Sequence, residues 1–414
     1  MLKFLVAHNY YGDRAVGGEA TVFAQETELL RKNGCQVTTF ERSNAEILNW
    51  STWEKLAFPL RLGHSSKVYR EIVDLIDREK PDILHAHNYK YVLTPSIFKA
   101  AKDCGVKTVL TLHNYRLICP GGQLRRGDRI CEECLQKCPT RILWRRGCAS
   151  KISTRALQGL LYWETKKKIL ENVDLFVALT EFSKRKFVEG GLPKERVWVK
   201  PNFIFDPLAE SLRPENEEKP CDFKPTLGAI GEESGEAKNK KNSREGAIFV
   251  GRLSSEKGIR FLTEAWRGVD FPLTIVGDGP EGEKIRRNAP SNIRFVGQKS
   301  REEALKLMQS ACFLVFPSIC YEGFPMTILE ASALETPTLA SRLGGRSETT
   351  VEEETGLLFE SGNIDDFRNA ANRLIRDPDF CRRLGAGARR RYELYYSPEK
   401  NFETLMEIYR AALN

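Results

Sequence analysis

Two glutamates, Glu322 and Glu330, stand eight residues apart on either side of the turn Gly323-Phe324-Pro325 and the first residues of an apolar helix. On an α-helix, eight steps span about 12 Å, which is close to the distance between the hexose and the ribose of a nucleotide sugar. The unpaired N–H groups at a helix start, here near Met326 and Thr327, suit a diphosphate. The order of acid, phosphate cradle and acid therefore matches the order of groups along such a ligand.

A structural explanation competes for the same residues. The stretch from Thr327 to Glu330 also fits a capping box, in which Thr327 is the N-cap and the Glu330 carboxylate reaches back to its N–H group. In that case Glu330 would serve the helix and not a ligand. Taken alone, this stretch favours the capping box.

A basic loop earlier in the chain favours the ligand. Residues 247–250, Ala-Ile-Phe-Val, indicate a buried strand, and the loop after it carries Arg252 and Lys257. A planar guanidinium and a flexible ammonium at this spacing suit a diphosphate. The string Val-Gly-Arg-Leu-x-x-Glu-Lys-Gly, followed later by Glu-Gly-Phe and Glu-x7-Glu, resembles family 4 of the retaining glycosyltransferases, glycosyl transferase group 1. The resemblance is strong over residues 246–414 and recognisable over most of 1–205.

The resemblance implies a role for each of these residues. Glu330 would hold the ribose hydroxyls, and Arg252 and Lys257 would neutralise the departing diphosphate. Glu322 would contact and orient the sugar. The other donor-binding residues that the resemblance implies are Gly323, Phe324, Met326 and Thr327. The family often has glycine where this chain has Pro325, and proline lacks one N–H that could bind phosphate.

The N-terminal half offers fewer candidates. His113 follows the predicted strand 108–112, and its position resembles that of the family histidine near the transferred sugar. His85 and His87, at the end of another strand, are alternatives for that role, and each could instead be structural. Gly17 lies in a glycine loop before a helix, where the backbone can approach a phosphate or an acceptor. Weaker matches to family loops are Asn202, Gly345 and Glu348.

Composition and pattern define the fold class. The chain has 414 residues, 41% hydrophobic and 29% charged, which indicates a globular protein with two sizeable cores. Short apolar strands alternate with amphipathic helices twice along the chain, which predicts an α/β protein. Together with the resemblance, this implies the GT-B fold: two doubly wound, Rossmann-like domains that face a cleft. The apolar start of the chain is too short for a signal peptide, so we expect a cytoplasmic protein.

Four segments follow from the pattern. Residues 1–205 should form the acceptor-side domain, with an insertion at 116–170. Residues 206–246 lose all periodicity and are expected to be a disordered linker. The C-terminal domain, 247–398, should bind the nucleotide sugar. The helix 399–414 should cross back to the N-terminal domain.

The insertion contains a cluster of cysteines. Cys131 and Cys134 have the spacing of zinc ligands, and Cys119 and Cys148 could complete a tetrahedral set, with Cys138 able to replace any one of them. A structural zinc is one interpretation, and a bystander or redox pair is the other. No cofactor is expected for catalysis.

The insertion is also basic. It carries 13 lysines or arginines against 4 acidic residues, whereas the whole chain has a net charge of +8. Interleaved apolar residues such as Trp144 and Trp163 fit attachment to an anionic membrane surface, peripheral on its inner face. A solvated helix that packs on its own domain explains the pattern equally well.

The predicted function is metal-independent transfer of a hexosyl group (EC 2.4). The donor would be a nucleotide sugar, UDP-, GDP- or similar, and the acceptor a glycan or lipid-linked saccharide of surface polysaccharide biosynthesis. A GT-B nucleotide-sugar epimerase would use the same cleft. A basic, zinc-containing nucleic-acid-binding protein leaves Arg252, Lys257, Glu322 and Glu330 unexplained, so no nucleic-acid partner is expected. A dinucleotide fingerprint at 277–282 lacks the acid that would hold a ribose.

Overall fold

Parallel strands form the centre of each half of the molecule. The computed structural model describes residues 2–12, 17–61, 63–136, 159, 162, 165–211 and 244–414. Within these residues, the strands build two parallel sheets of six strands each and one short antiparallel hairpin. The α/β prediction and the two doubly wound domains are thereby confirmed.

The N-terminal sheet follows the order 2-1-3-4-5-6 of its own strands. In chain order these strands are Lys3–Tyr10, Gln36–Ser43, Ile83–Asn88, Lys107–Thr111, Leu175–Ala178 and Val197–Val199. The helices that cover it include Gly18–Lys32, Thr52–Arg61, Ser66–Glu79, Ser96–Asp103 and Glu181–Glu189. The insertion contributes the hairpin Arg125–Arg126 and Arg129–Ile130 and the short helix Glu133–Gln136.

The C-terminal sheet has the strand order 3-2-1-4-5-6, which is the doubly wound dinucleotide-fold order. Its strands are Ala247–Val250, Leu273–Val276, Ile293–Gly297, Phe313–Phe316, Thr338–Ser341 and Gly356–Phe359. Its helices are Ile259–Trp266, Gly282–Asn288, Arg301–Ser310, Met326–Ala333, Arg346–Thr349, Ile364–Arg376 and Pro378–Tyr395. The strand Ala247–Val250 coincides with the strand predicted at 247–250.

The apolar pattern explains why these elements form. The strand Phe313–Phe316 is buried along its whole length, as expected for a parallel strand that is covered on both faces. The helix Ile364–Arg376 buries Phe367, Ala370, Ala371 and Leu374, at the three- and four-residue spacing of one helical face. Asn363 caps this helix by accepting a hydrogen bond from the N–H of Asp366.

The helix Pro398–Leu413 leaves the C-terminal domain and packs on the N-terminal sheet. Its side chains Leu405, Ile408, Tyr409 and Ala412 lie in one apolar cluster with Phe4, Val6 and Phe23 of the N-terminal domain. Leu405, Ile408 and Tyr409 are completely buried. The two domains are therefore joined by a packed helix as well as by the linker.

The ends of the predicted linker are structured, so its predicted bounds of 206–246 are wrong. Pro207–Ser211 is helical, and Leu208 packs against the apolar cluster under Met326–Ala333. Asp206 accepts a hydrogen bond of 2.9 Å from Arg389, and Arg244 donates to the Glu335 carbonyl at 2.8 Å. Residues 212–243 lie outside the described residues, and disorder stays a prediction for them.

None of the described helices combines the length and the apolar character that crossing a bilayer would require. The apolar residues for which membrane contact was predicted lie mostly outside the described residues, namely Leu143, Trp144, Leu157, Leu160, Leu161 and Trp163. Peripheral attachment therefore stays a prediction.

Candidate active site

The strand order of the C-terminal sheet creates a crevice where two loops meet. The strands Ala247–Val250 and Phe313–Phe316 are neighbours at the point where the winding of the sheet reverses, and ligands bind outside the carboxyl ends of strands at such points. The loops after them are linked, since the N–H of Ile319 donates to the Glu256 carbonyl at 3.0 Å. Gly258 makes this approach possible: it has φ of +71°, and an added Cβ would lie 2.0 Å from the Pro317 oxygen.

These two loops bring Lys257 and Glu322 together. The Lys257 ammonium lies 2.8 Å from a Glu322 carboxylate oxygen, which also accepts a 2.8 Å hydrogen bond from the Ser318 hydroxyl. Burial acts to raise the pKa of Glu322, but Lys257 and Arg346 outweigh it and hold that pKa below its ordinary value. The net shift in the pKa of Lys257 is upward because the Glu322 carboxylate outweighs the burial of the ammonium. Both groups are therefore charged at neutral pH.

Arg346 stabilises the loop that carries Glu322, and the sequence did not identify this role. Its guanidinium is buried and donates to the carbonyl of Ser318 at 2.8 Å and to that of Cys320. These bonds hold the backbone from which Glu322 projects. Only the neighbouring Gly345 and Glu348 had been noted, because a buried arginine at the start of a short helix has no sequence signature.

Arg252 differs from Lys257 in its surroundings. Its side chain is exposed, and among the described residues no carboxylate lies within ion-pair distance of it. It follows the strand Ala247–Val250, so it begins at the same edge of the sheet as Lys257. The structure thus offers one paired and one unpaired cation next to the crevice.

The helix Met326–Ala333 begins without a side-chain cap, and the capping box is therefore wrong. Pro325 is the N-cap, and no side chain bonds to the first N–H groups. Glu330 instead faces Arg301, with 3.2 Å between the guanidinium Nε and the carboxylate. Burial raises the pKa of Glu330, and Arg301 opposes that shift. Glu330 is thus free of its own helix start, whose first N–H groups, including that of Thr327, remain available to an anion.

The N-terminal domain meets this helix start. Gly17 has φ of +130° and precedes the helix Gly18–Lys32, and a Cβ on Gly18 would lie 3.7 Å from the Met326 side chain. The Asn202 amide lies 3.5 Å from the Met326 sulfur. Both N-terminal segments that were singled out therefore reach the predicted phosphate cradle. Phe324 packs beside them in the cluster that contains Ile204.

His113 lies directly opposite Gly323 across the cleft. A Cβ on Gly323 would be 2.3 Å from the His113 carbonyl oxygen, so only glycine permits this approach. His85 is completely buried and bonds to Tyr409 and Thr111, which excludes it from the cleft surface. Of the three histidines considered, His113 is the one whose backbone touches the loop that carries Glu322.

Polar contacts hold the two domains in this closed arrangement. The Glu348 carboxylate of the C-terminal domain accepts bonds of 2.7 Å from the N–H groups of Glu181 and Phe182, the first residues of an N-terminal-domain helix. A carboxylate at a helix start is stabilised by the helix dipole. From the insertion, Arg125 donates to the Ser255 hydroxyl at 2.9 Å, beside Lys257. The insertion thus contacts the loop that carries Lys257, which the sequence did not predict.

Polar side chains of the N-terminal domain surround the space next to His113. A small cavity of about 30 Å³ is lined by Tyr11, Asn88, Lys90, His113, Asn114 and Arg116, among others. Burial and the nearby Arg116 lower the pKa of Lys90 to about 7. The Arg116 guanidinium stacks on Tyr11, 4.7 Å from its ring centre. Two basic side chains therefore face the space next to His113.

The described cysteines do not form a preassembled metal site. Cys119 is buried and Cys131 and Cys134 are half-buried, whereas Cys148 lies outside the described residues. Among the described residues, the group whose possible ligand atoms all lie within 4.8 Å of one another is Glu26, His85 and His87. The zinc interpretation thus stays a prediction.

Comparison with known proteins gives the same class that the fold and the site define. The family model "Glycosyltransferase Family 4" matches residues 16–205, and the model "Glycosyl transferases group 1" matches residues 232–391. The two models cover both Rossmann-like domains. This chain belongs to the family 4 glycosyltransferases of the GT-B fold.

Individual relatives match over part of this chain. An uncharacterized glycosyltransferase of Methanocaldococcus jannaschii is 32% identical over 166 residues, 39% of this chain and 47% of that protein. The O-antigen chain mannosyltransferase C of Escherichia coli is 28% identical over 172 residues, 40% of this chain and 46% of that protein. The chain thus spans about half the length of the curated relatives it matches.

A solved structure extends the likeness of the fold to the whole chain. The HepE protein of Anabaena, crystallised with UDP, superposes with a TM-score of 0.63 over 99% of this chain and 100% of that chain, at 15% identity. The same protein has also been crystallised with UDP-glucose. At this identity the comparison establishes the shared GT-B fold.

Proposed function

We propose that this chain is a retaining glycosyltransferase that moves a hexosyl group from a nucleotide sugar to a glycan or lipid-linked saccharide of a surface polysaccharide. The observation that carries the proposal is the Lys257–Glu322 pair at the switch point of the C-terminal sheet, facing His113 across the cleft. The complexes of HepE with UDP and UDP-glucose support a nucleotide-sugar donor. The name of the Escherichia coli relative supports a polysaccharide pathway.

The diphosphate would lie between Lys257, Arg252 and the start of the helix Met326–Ala333. Cleavage of the sugar–phosphate bond leaves additional negative charge on the diphosphate, so fixed cations and N–H groups stabilise the transition state more than the bound donor. Glu322 would hold the sugar and Glu330 the ribose. These groups can neutralise the leaving group without a metal ion.

An Asp-x-Asp sequence can hold a metal ion against a sugar diphosphate. The chain contains one such sequence, Asp377-Pro378-Asp379. Asp377 caps a helix by accepting from the N–H of Phe380 at 2.8 Å, and Asp379 pairs with Arg382 on the surface. Both carboxylates thus have structural partners, which supports a metal-independent reaction.

Stereochemistry and metal dependence test the proposal together. We expect transfer to retain the anomeric configuration of the donor and to continue in the presence of a chelator. Proton NMR of the anomeric position in the product, from a donor of known configuration, measures the first. Inversion, or activity that a chelator abolishes and magnesium or manganese restores, would overturn this mechanism. Consumption of the donor without any acceptor, with a change at a sugar carbon, would indicate an epimerase.

Replacing Glu330 by glutamine should weaken nucleotide binding. A neutral amide is a poorer acceptor for the ribose hydroxyls than a carboxylate, and charge-assisted hydrogen bonds contribute about 1.5–3 kcal/mol. Calorimetric titration with nucleoside diphosphates should therefore show at least a tenfold loss of affinity. Glu403→Gln, on the surface of the helix Pro398–Leu413, is the matched control. Equal affinities for both variants would remove Glu330 from the ribose site.

We also propose that the cysteine-rich insertion binds one structural zinc through Cys119, Cys131, Cys134 and Cys148. Thiolate sites bind zinc tightly and stabilise loops that lack an apolar core. Elemental analysis of protein purified under reducing conditions should find about one zinc per chain. Protein that contains no zinc, and whose thermal midpoint a chelator leaves unchanged, would disprove the site.

A further inference from the structure

A buried cluster of charged and polar side chains lies behind His113 and is not used in the mechanism above. Glu26, Lys200, His85 and His87 are each at most 3% exposed. One Glu26 oxygen accepts from the Lys200 ammonium at 2.7 Å. The other lies 3.1 Å from His85 Nδ1 and 3.2 Å from His87 Nε2. A buried ion pair of this kind is costly to desolvate and is not required for packing.

Glu26 is ionised in this cluster. Burial alone would raise its pKa, but Lys200 and the two imidazoles hold the pKa of Glu26 well below its ordinary value. The Lys200 ammonium already balances the single negative charge. A second cation buried at this position would have no counter-charge.

The charge of Glu26 decides which nitrogen of His87 carries the hydrogen. Nε2 does not point straight at the carboxylate oxygen and forms no directed hydrogen bond with it. At 3.2 Å, however, the negative charge repels a lone pair on Nε2 and attracts an N–H group. In a neutral imidazole one nitrogen is a donor and the other an acceptor. His87 therefore carries its hydrogen on Nε2 and has a lone pair on Nδ1.

The position of the hydrogen on His87 determines the position of the hydrogen on His113. His87 Nδ1 lies 3.0 Å from His113 Nε2, and since His87 Nδ1 can only accept, His113 Nε2 must donate. Burial and the neighbouring His87 hold the pKa of His113 well below its ordinary value, so its ring is neutral. The remaining nitrogen, Nδ1 of His113, then has a lone pair.

We propose that Glu26 and His87 form a positioning relay that fixes the tautomer of His113, so that Nδ1 of His113 accepts a hydrogen bond from a hydroxyl of the bound sugar. The tautomer rests on the cluster alone. The contact with a sugar hydroxyl rests on the proposed function. Glu26 and His87 are positioning residues in this scheme, and His113 is the residue that touches the substrate.

Nitrogen NMR tests the tautomer without any substrate. The chain has five histidines, so full-length protein labelled with ¹⁵N in histidine gives a spectrum of five rings. His113→Asn assigns the His113 signals, and His64→Asn, at an exposed position, is the control. We expect His113 with hydrogen on Nε2 and none on Nδ1. Hydrogen on Nδ1 of His113, or a charged His87 ring, would overturn the relay.

Two substitutions of His87 distinguish its role in positioning His113 from a role in packing alone. In His87→Asn, the side-chain oxygen can take the place of Nδ1, whereas His87→Leu leaves no acceptor. We expect the Asn variant to keep the His113 tautomer and near-normal kcat/KM for the donor. The Leu variant should lose the single tautomer and about tenfold in kcat/KM, the effect of one neutral hydrogen bond. Equal losses in both variants would indicate a structural role only.

A charge-balanced variant covers the case in which His87→Leu does not fold. Glu26→Gln combined with Lys200→Met removes one negative and one positive charge and leaves no buried ion unpaired. The relay predicts that His113 then shows both tautomers, and an unchanged single tautomer would refute it. If the tautomers respond as expected while sugar transfer is unaffected, the relay stands and the role of His113 at the sugar is wrong.

Discussion

Lys257→Ala should lower kcat by about 10²–10³-fold, with a smaller effect on donor affinity. The ammonium lies 2.8 Å from Glu322 and keeps its charge, so it can meet the diphosphate as negative charge develops there. The start of the helix Met326–Ala333 and the exposed Arg252 remain in the variant. They do not replace Lys257, because preorganised charge acts mainly at the atom where the negative charge appears.

Initial rates with purified donor and acceptor measure this effect as separate kcat and KM values. Lys306→Ala is the matched control, since Lys306 pairs with Glu302 at the same 2.8 Å on an outward-facing helix. Each substitution leaves a glutamate without its lysine partner. The thermal midpoint of each variant shows whether this loss has also destabilised the fold. A rise in KM with kcat unchanged would mean that Lys257 binds the donor and the transition state equally well.

Gly323→Ala should lower kcat by about 100-fold. The new Cβ would lie 2.3 Å from the His113 carbonyl oxygen, about 1 Å closer than an ordinary contact allows, and the oxygen belongs to a backbone that cannot rotate away. The domains would close with His113 displaced from Glu322 by a similar distance. A misplacement of 1 Å in reacting groups can cost 10²-fold in rate.

Nucleotide binding to the C-terminal domain should survive this substitution, because Lys257, Arg252 and Glu330 stay in place. Calorimetry and small-angle scattering with a nucleoside diphosphate would show binding without full closure. Gly12→Ala, where an added Cβ has nothing within 4 Å, is the control. A Gly323→Ala enzyme as fast as the native protein would mean that the closed contact with His113 does not occur in turnover.

Local sequence information predicted which residues meet at the switch point of the C-terminal sheet. Arg252 and Lys257 follow an apolar strand directly, and Glu322 follows another, so strand order alone brings them together. For Glu330, the sequence also allowed a capping box with Thr327 as the N-cap. The structure excludes this capping box because the helix starts at Met326, with Pro325 as its N-cap.

The buried groups could not be predicted in this way. Glu26 and Lys200 are separated by 174 positions, and nothing in the spacing along the chain indicates that they pair. Arg346 begins a short helix and Arg125 begins a two-residue strand, and basic residues at such positions usually belong to the solvated surface. Their roles depend on which loops meet in three dimensions, and the spacing along the chain does not contain that information.

The helix Pro398–Leu413 has a consequence for synthesis on the ribosome. Phe4, Val6 and Phe23 are synthesised long before the side chains that cover them, such as Leu405 and Tyr409. At 5–20 residues per second, synthesis of the intervening residues takes roughly 20–80 s, and the apolar side chains stay uncovered during that time. Domains usually fold in the order in which they are made. Here the first domain can complete its core only after the second has been synthesised, so its exposed apolar face would need a chaperone in the meantime.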